Sequence, residues 1–193
     1  ESTKGAQGAK GAPPNKADPA RAAQRRYTDA RADEQQRGIS IKATPSTPLL
    51  QTSPGTHYLL NILDVPGHPN FRDEASAALR LADGVLFVVD AADGLVAGAE
   101  ALLRHTLAER LRVVLLINKV DRLLLELKLP PQDAYFKLRK VIEDVNAAVE
   151  ALSGGAHPPL APEDNSVVFA SSELDFAFTL ASFSAHYADH FGG

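Results

Sequence analysis

The sequence predicts an α/β fold in which a mostly parallel sheet is flanked by helices. Apolar runs at residues 59–63, 85–89 and 113–117 are each bounded by turn signals, which is typical of buried strands. Segments with helical periodicity separate the later runs along the chain. Buried strands that alternate with helices predict a parallel sheet covered on both faces.

The composition of the 193 residues is that of an ordinary globular chain. Hydrophobic residues make up 45% of it, enough for one α/β domain with a sizeable core. The formal net charge of -4 gives no global sign of a nucleic-acid or membrane surface, and the lack of cysteine excludes disulfides and cysteine-based zinc sites. No apolar stretch is long enough to span a bilayer, so we expect a soluble, intracellular chain without membrane contact.

A change of composition divides the chain in two. Residues 1–26 are rich in Ala, Gly, Lys, Pro and Arg and have no periodic apolar pattern, so we expect a disordered low-complexity linker. Its basic residues either contact RNA or an acidic partner or belong to a solvated tail. Residues 27–193 are then expected to form the folded domain.

The first part of that domain predicts a hairpin. A strand is expected at residues 39–50, where Pro45 and Pro48 favour an edge position, and a buried strand that ends at Asp64 follows after a turn. The remainder predicts helices at 70–80, 95–110, from Pro130 onwards and at 178–191, strands at 84–90, 112–117 and 167–169, and a loop at 153–165.

Polar residues follow three of the predicted strands. Asp64 ends the first of them, Asn118 and Asp121 follow the strand at 112–117, and Ser171 and Ser172 follow the strand at 167–169. The carboxyl ends of parallel strands lie at one edge of a sheet, which is where open α/β sheets bind ligands. The spacing therefore predicts a ligand site at this edge.

The tetrad Asn118-Lys119-Val120-Asp121 has the chemistry of a guanine site. The carboxylate of Asp121 can accept hydrogen bonds from the ring N–H and the exocyclic amine of guanine, whereas adenine offers neither in that arrangement. Asn118 can bridge towards the base carbonyl and hold neighbouring loops, and the stem of Lys119 can lie over the base. The backbone N–H groups of Ala170, Ser171 and Ser172 could then bind the guanine carbonyl oxygen.

The segment Asp64-Val65-Pro66-Gly67-His68 has the chemistry of the phosphate side of such a site. Asp64 would hold Mg²⁺, and the Ser40 hydroxyl would bind the same ion. The N–H of Gly67 would meet the γ-phosphate, and His68 would be the catalytic residue that orients the attacking water. The alternatives are a strand that merely ends at Asp64, an ordinary turn histidine at His68 and a polar strand residue at Ser40.

Residues 37–41, 64–68 and 118–121 together resemble the switch one, switch two and guanine-specificity motifs of translation-factor-type GTPases. Residues 27–35 and 177–180 resemble the elongation factor two branch of that family. Within this branch, the stretch from Leu125 to Arg139 is similar to the spliceosomal members.

The resemblance implies a GTP-binding domain that uses GTP and Mg²⁺ and acts in pre-mRNA splicing within the U5 small nuclear ribonucleoprotein. It implies a location in the nucleus and, as partners, the largest spliceosomal scaffold protein, the snRNA-unwinding helicase and the U5 snRNA. Two alternatives remain open: a ribosomal translocase of the elongation factor two type in the cytoplasm, and a non-hydrolysing structural module.

The sequence departs from the family pattern in two ways. Pro69 stands where the family usually has a branched apolar residue, and it restricts His68 to extended conformations. No stretch reads Gly-x-x-x-x-Gly-Lys-Ser/Thr, so the phosphate-binding P-loop is absent. We therefore expect an incomplete P-loop NTPase fold of the translational type, a fragment of a longer protein or an incomplete gene model, that lacks the first strand, the P-loop and the first helix.

In the related fold, the missing strand lies between the strand that ends at Asp64 and the strand that ends at Asp90. The family resemblance implies GTP hydrolysis by the parent protein. The chain alone is expected to be inactive and to bind GTP weakly or not at all, because phosphate contacts supply much of the affinity for a nucleotide.

Overall fold

The structure is a computed structural model, and it describes residues 27–53 and 55–191. The chain divides into two compact units, Glu1–Ile39 and Ser40–Gly193. The linker predicted at residues 1–26 lies outside the described residues. Among the described residues, no helix combines the length and the apolar character that crossing a membrane requires.

The described part of the first unit contains one short helix, α1 (Ala32–Arg37), where the sequence showed only a charged segment. The backbone N–H of Arg31 donates to the carboxylate of Glu34 at 3.1 Å, which satisfies a donor at the helix start. The helix ends at Gly38, whose φ of 70° lies in the left-handed region that glycine adopts without strain.

The second unit is an α/β structure. Its strands among the described residues are β1 (Thr44–Ser46), β2 (Leu49–Ser53), β3 (Thr56–Leu59), β4 (Ile62–Asp64), β5 (Gly84–Asp90), β6 (Arg112–Asn118), β7 (Val167–Ser171) and β8 (Phe176–Phe178). Its helices are α2 (Arg72–Leu79), α3 (Ala97–Ala108), α4 (Val120–Leu125), α5 (Pro131–Ser153) and α6 (Leu180–Phe191), with 3₁₀ turns at Pro69–Phe71 and Pro162–Asp164.

A four-stranded sheet with the order β5-β6-β7-β8 organises this unit. β5, β6 and β7 are parallel, as predicted, and β8 adds an antiparallel strand that the sequence did not indicate. The buried core joins these strands to α3 and α5, which pack against each other. Its fully buried members include Leu103, Leu115, Ile117, Val145 and Val167.

The prediction that the sheet is covered on both faces is wrong at β5. Phe87 and Val89 are buried, but Leu86 and Val88, which point to the other face, are 56% and 54% exposed. An apolar run shows that a strand can be buried on both faces. It does not show that helices or other elements cover both of those faces.

The predicted hairpin is confirmed, but the buried strand at residues 59–64 is wrong. That run splits into β3 and β4, which pair only with β2 and β1 in two separate antiparallel ribbons. Every residue of β3 and β4 is exposed. Among the described strands none lies between β4 and β5, so this apolar run has no sheet interior in which to be buried.

Two adjacent valines of β5 test whether only one face of the sheet is packed. Val89→Ala should lower the free energy of unfolding by about 2 kcal/mol, because it removes buried methyl groups and leaves a cavity. Val88→Ala is the matched control on the exposed face, and it should change stability by less than about 0.5 kcal/mol. Urea unfolding followed by circular dichroism measures both, and equal losses would show that both faces are packed.

Candidate functional site

The parallel strands bring the predicted base-recognition residues together. In the β5–β6 ladder Asp90 lies opposite Asn118, and in the β6–β7 ladder Ile117 lies opposite Phe169. The chain that leaves β6 at Asn118 therefore starts beside the end of β7. As a result the turn that leads from β6 into α4, where Asp121 lies in the first helical turn, and the loop that follows Ser171 at the end of β7 emerge side by side.

Asn118 joins these two loops through its side chain. Its Oδ1 accepts hydrogen bonds from the backbone N–H of Ser172 at 3.1 Å and of Lys119 at 2.8 Å. Its Nδ2 donates to the hydroxyl of Ser172 at 3.3 Å. The Ser172 N–H, which was expected to bind the guanine carbonyl, is thus donated to Asn118 in this structure.

Asp121 is held by a buried hydroxyl. Ser171 is 1% exposed, and its Oγ donates to Oδ1 of Asp121 at 2.5 Å while it accepts from the N–H of Leu174 at 3.1 Å. Ser171 therefore orients the carboxylate and also holds the turn before β8. The neighbouring Ala170 is buried in β7.

The structure adds two residues that the sequence analysis did not assign to the site, Asp90 and Arg122. Oδ2 of Asp90 lies 3.0 Å from Nζ of Lys119 and 2.9 Å from a terminal nitrogen of Arg122. Oδ1 of Asp90 accepts from the N–H of Ala92 at 2.8 Å. A sequence signal existed, since Asp90 also ends a predicted strand and Arg122 directly follows Asp121.

These contacts set the ionisation of Asp90. Burial raises the pKa of its carboxyl, but the Ala92 N–H and the ammonium group of Lys119 outweigh burial, and the pKa lies below its usual value. Lys119 itself has a φ of 59°, a left-handed conformation that costs a non-glycine residue energy and persists only where its surroundings hold it.

The phosphate-side residues lie on and beside a strand that is not paired with the parallel sheet. Asp64 ends β4, which pairs with β1, so no strand pairing places Asp64 at the edge that carries Asn118. The reason is again that none of the described strands connects β4 to β5. Pro66 is buried, whereas Gly67 and His68 are exposed.

His68 has the backbone geometry that Pro69 predicts. Its φ of -74° and ψ of 135° are extended, and its Nδ1 accepts from the N–H of Asn70 at 3.2 Å. The side chain thus starts the 3₁₀ turn that leads into α2.

Ser40 and Asp64 offer the oxygen ligands that Mg²⁺ prefers. The β1–β4 ladder places Thr44 opposite Asp64, and Ser40 precedes Thr44 by four residues. Mg²⁺ usually binds one or two protein carboxylates and takes its other ligands from water and phosphate. A hydroxyl and a carboxylate fit this ion by donor type, although the ladder pairs Asp64 with Thr44 and does not extend to Ser40.

A cavity of about 450 Å³ borders α4, the helix that contains Asp121. Apart from Asp121 its walls are apolar, and they come from α4, the start of α5, β7, β8 and the turn between the last two. Such walls offer nothing to a phosphate or a ribose hydroxyl. The polar groups that suit a nucleotide are those of the strand-end loops.

The family of the chain follows from comparison with known proteins. A model of the elongation factor Tu GTP binding domain matches residues 8–188, which is nearly the whole chain. The chain belongs to this family of GTP-binding domains.

Among the curated proteins that match the chain are three relatives. The 109 kDa U5 small nuclear ribonucleoprotein component GFL of Arabidopsis thaliana is 51% identical to the chain over 165 residues. The chain is 50% identical over 165 residues to the 110 kDa U5 small nuclear ribonucleoprotein component CLO of Arabidopsis thaliana. It is 42% identical over 168 residues to the pre-mRNA-splicing factor cwf10 of Schizosaccharomyces pombe. These matches cover 84% and 87% of this chain but only 17% of each relative.

A solved translation factor supports the fold. The crystal structure of the bacterial selenocysteine-specific elongation factor EF-Sec matches 76% of this chain and 22% of that chain, with a TM-score of 0.55 and 23% identity. The predicted fold class, a partial P-loop NTPase domain with a parallel sheet flanked by helices, agrees with this match and with the family.

The lowered pKa of Asp90 predicts a pH dependence of stability. A carboxyl whose folded pKa is depressed stabilises the fold fully above the unfolded value, near 3.8 here, and this stabilisation is lost as the pH falls through the folded pKa. Asp90→Asn should therefore lower the free energy of unfolding by roughly 1 kcal/mol at neutral pH, and by progressively less below about pH 4.

Urea unfolding at a series of pH values measures this difference. Asp93→Asn is the control, since Asp93 is an exposed carboxylate on the same loop. It should change stability little at any pH. A difference between wild type and Asp90→Asn that stays constant down to low pH would contradict the assignment.

Proposed function

We propose that this chain is the guanine-nucleotide-binding part of an elongation-factor-like GTPase that acts in pre-mRNA splicing within the U5 particle in the nucleus. The support is the family, whose model describes a GTP-binding domain, together with relatives named as U5 components and as a splicing factor. Because the chain spans 17% of the length of these relatives, the proposal places it within a much longer parent protein.

The observation that carries the proposal is the anchored carboxylate of Asp121. It accepts from buried Ser171 and lies in the first turn of α4, just after the turn that Asn118 joins to Ser172, so its orientation is fixed before any ligand arrives. In the proposal, this carboxylate accepts the two N–H groups of guanine. The stem of Lys119 lies over the base. The backbone N–H groups of Ala170 and Ser171 face the base carbonyl, since the N–H of Ser172 is donated to Asn118.

The phosphate side is proposed to use Ser40, Asp64, Gly67 and His68. Ser40 and Asp64 would hold Mg²⁺, which supplies charge neutralisation at the phosphates when bound. The exposed N–H of Gly67 would meet the γ-phosphate. His68, exposed and extended at the start of the 3₁₀ turn, would orient the attacking water in the parent protein.

The partners in the proposal are those of a U5 component: the largest spliceosomal scaffold protein, the snRNA-unwinding helicase and the U5 snRNA. Their support is the U5 name of two relatives that are 50% and 51% identical to this chain. The proposal assigns no residue of this chain to those contacts.

One observation favours a second candidate, a domain that binds a nucleotide without hydrolysing it. Pro69 follows His68 directly and, with the hydrogen bond from Asn70 to Nδ1, restrains the histidine. A restrained histidine reorients less readily towards a water. Single-turnover hydrolysis by the parent protein distinguishes the candidates, because a hydrolase shows a rate and a domain that only binds shows none. A rate that appears only in Pro69→Val would show that Pro69 prevents hydrolysis.

The chain itself should bind GTP more weakly than micromolar. Its base-recognition groups are anchored, but the sequence contains no P-loop to bind the phosphates. Titration of a fluorescent GTP analogue, with the matching ATP analogue as control, measures the affinity. Guanine-selective binding at micromolar strength or tighter would overturn this prediction.

Replacing the proposed base-recognition carboxylate should change the preferred base. In Asp121→Asn, the amide oxygen still accepts from Ser171, but the amide N–H now suits the carbonyl that xanthine has in place of the guanine amine. We expect the preference for guanosine over xanthosine diphosphate to fall at least about tenfold. Shifts of backbone amide NMR signals at millimolar nucleotide measure it.

Asp133→Asn provides the matched control, because Asp133 is an exposed carboxylate in the first turn of α5. It should retain the guanine preference of the wild type. If the wild type shows equal shifts with guanosine, xanthosine and adenosine diphosphates, the chain has no guanine site and the proposed function is wrong.

A further inference from the structure

Asp90, the last residue of β5, contacts residues on both sides of Asp121. Lys119 precedes Asp121 by two residues and Arg122 follows it directly, and both cations contact the same oxygen of Asp90. Arg122 also pairs with Glu126 at 2.8 Å, one turn along α4. One carboxylate therefore connects the residues on either side of Asp121 to the neighbouring strand.

Asp90 is itself rigidly placed. It is the last residue of β5, its side chain is 16% exposed, and its second oxygen accepts the N–H of Ala92. The N–H of Ala91 donates to the carbonyl of Asn118 at 2.9 Å, which continues the contact between β5 and β6 beyond the strand. A partly buried carboxylate with two cations and two backbone donors, the N–H groups of Ala92 and Asp93, binds them more firmly than an exposed ion pair does.

The left-handed backbone conformation of Lys119 needs stabilising contacts such as these. Its left-handed φ of 59° turns the chain from β6 into α4 and so determines where the first turn of α4, which contains Asp121, begins. Two contacts oppose relaxation of this turn, the hydrogen bond from its N–H to Oδ1 of Asn118 and the ion pair of its ammonium group with Asp90.

We propose that Asp90 is a positioning residue for guanine selectivity, which holds Lys119 and Arg122 on either side of Asp121 without touching the nucleotide. The proposal rests on the proposed function, since it assumes that Asp121 reads the base. Ser171 orients the carboxylate from the side of β7, and Asp90 fixes the loop from the side of β5. Without the contacts to Asp90, the carboxylate of Asp121 keeps its hydrogen bond from Ser171, but the backbone that carries it can shift.

The test measures base selectivity in the full 193-residue chain. Backbone amide NMR signals of the loop at residues 118–122 are followed as guanosine or adenosine diphosphate is added to millimolar concentration. Asp90→Asn keeps an oxygen for the Ala92 N–H but loses the charge that attracts both cations. We expect the ratio of guanine to adenine affinity to fall about fivefold, with the spectrum otherwise that of a folded chain.

Asp93→Asn is the matched control, an acid-to-amide change three residues away that leaves the network intact. It should keep the selectivity of the wild type. Arg122→Gln should lower selectivity by a smaller factor than Asp90→Asn, and the double variant should lose no more than Asp90→Asn alone, because both changes remove one shared interaction.

The outcomes separate this inference from the proposed function. A wild type without guanine-selective shifts refutes the guanine site and, with it, the role of Asp90. A selective wild type whose selectivity survives in Asp90→Asn refutes the role of Asp90 alone. A variant that is merely less stable, with the same ratio of guanine to adenine affinity, also refutes it, since a structural role would not change that ratio. If Asp90→Asn does not fold, Arg122→Gln alone decides: unchanged selectivity in that variant refutes the inference.

Discussion

The parallel pairing of β5, β6 and β7 is the constraint on which the site depends. Ladder hydrogen bonds fix Asp90 opposite Asn118, and the β6–β7 ladder fixes where Ser171 ends its strand. A slip of one residue in either ladder would turn the following side chain to the opposite face. The short contacts among the three loops therefore follow from the strand register.

Asp90 and Asp121, the two carboxylates of the proposed base-recognition site, each have defined partners. Asp90 is neutralised by two cations, and Asp121 accepts from the buried hydroxyl of Ser171. Because partly buried charges without partners are costly, these pairs are needed for the loops to fold in this arrangement. They also order the side chains during folding, which reduces the entropy that a ligand must oppose on binding.

The sequence predicts those helices and strands that are determined by patterns within a few neighbouring residues. β5 was predicted with its observed bounds, and the ends of β6 and β7 were placed closely enough to bring Asn118 and Ser172 together. α4 was missed because six residues carry no full helical period. β8 was missed because Phe176–Phe178 is a strand only through its pairing with β7.

The remaining errors concern burial and contacts that depend on residues far away in the sequence. The run at residues 59–64 is apolar enough for a sheet interior, yet β3 and β4 are exposed, since burial needs a neighbouring layer that one segment cannot specify. The contact of Arg122 with Asp90 joins residues 32 apart in sequence, and no periodicity relates them. Local pattern thus gives the elements, and long-range pairing decides which of them form the site.

The two sides of the proposed site are held by different interactions, which in the proposed function separates base selectivity from nucleotide affinity. The base side rests on a sheet whose strands are packed against α3 and α5. The phosphate side rests on β1 and β4, three residues each, which pair only with each other among the described strands. In the proposed function, discrimination between bases depends on the first set of contacts and the strength of nucleotide binding largely on the second. The proposal therefore allows the geometry that selects guanine to persist in a sequence without the P-loop groups that hold a triphosphate tightly.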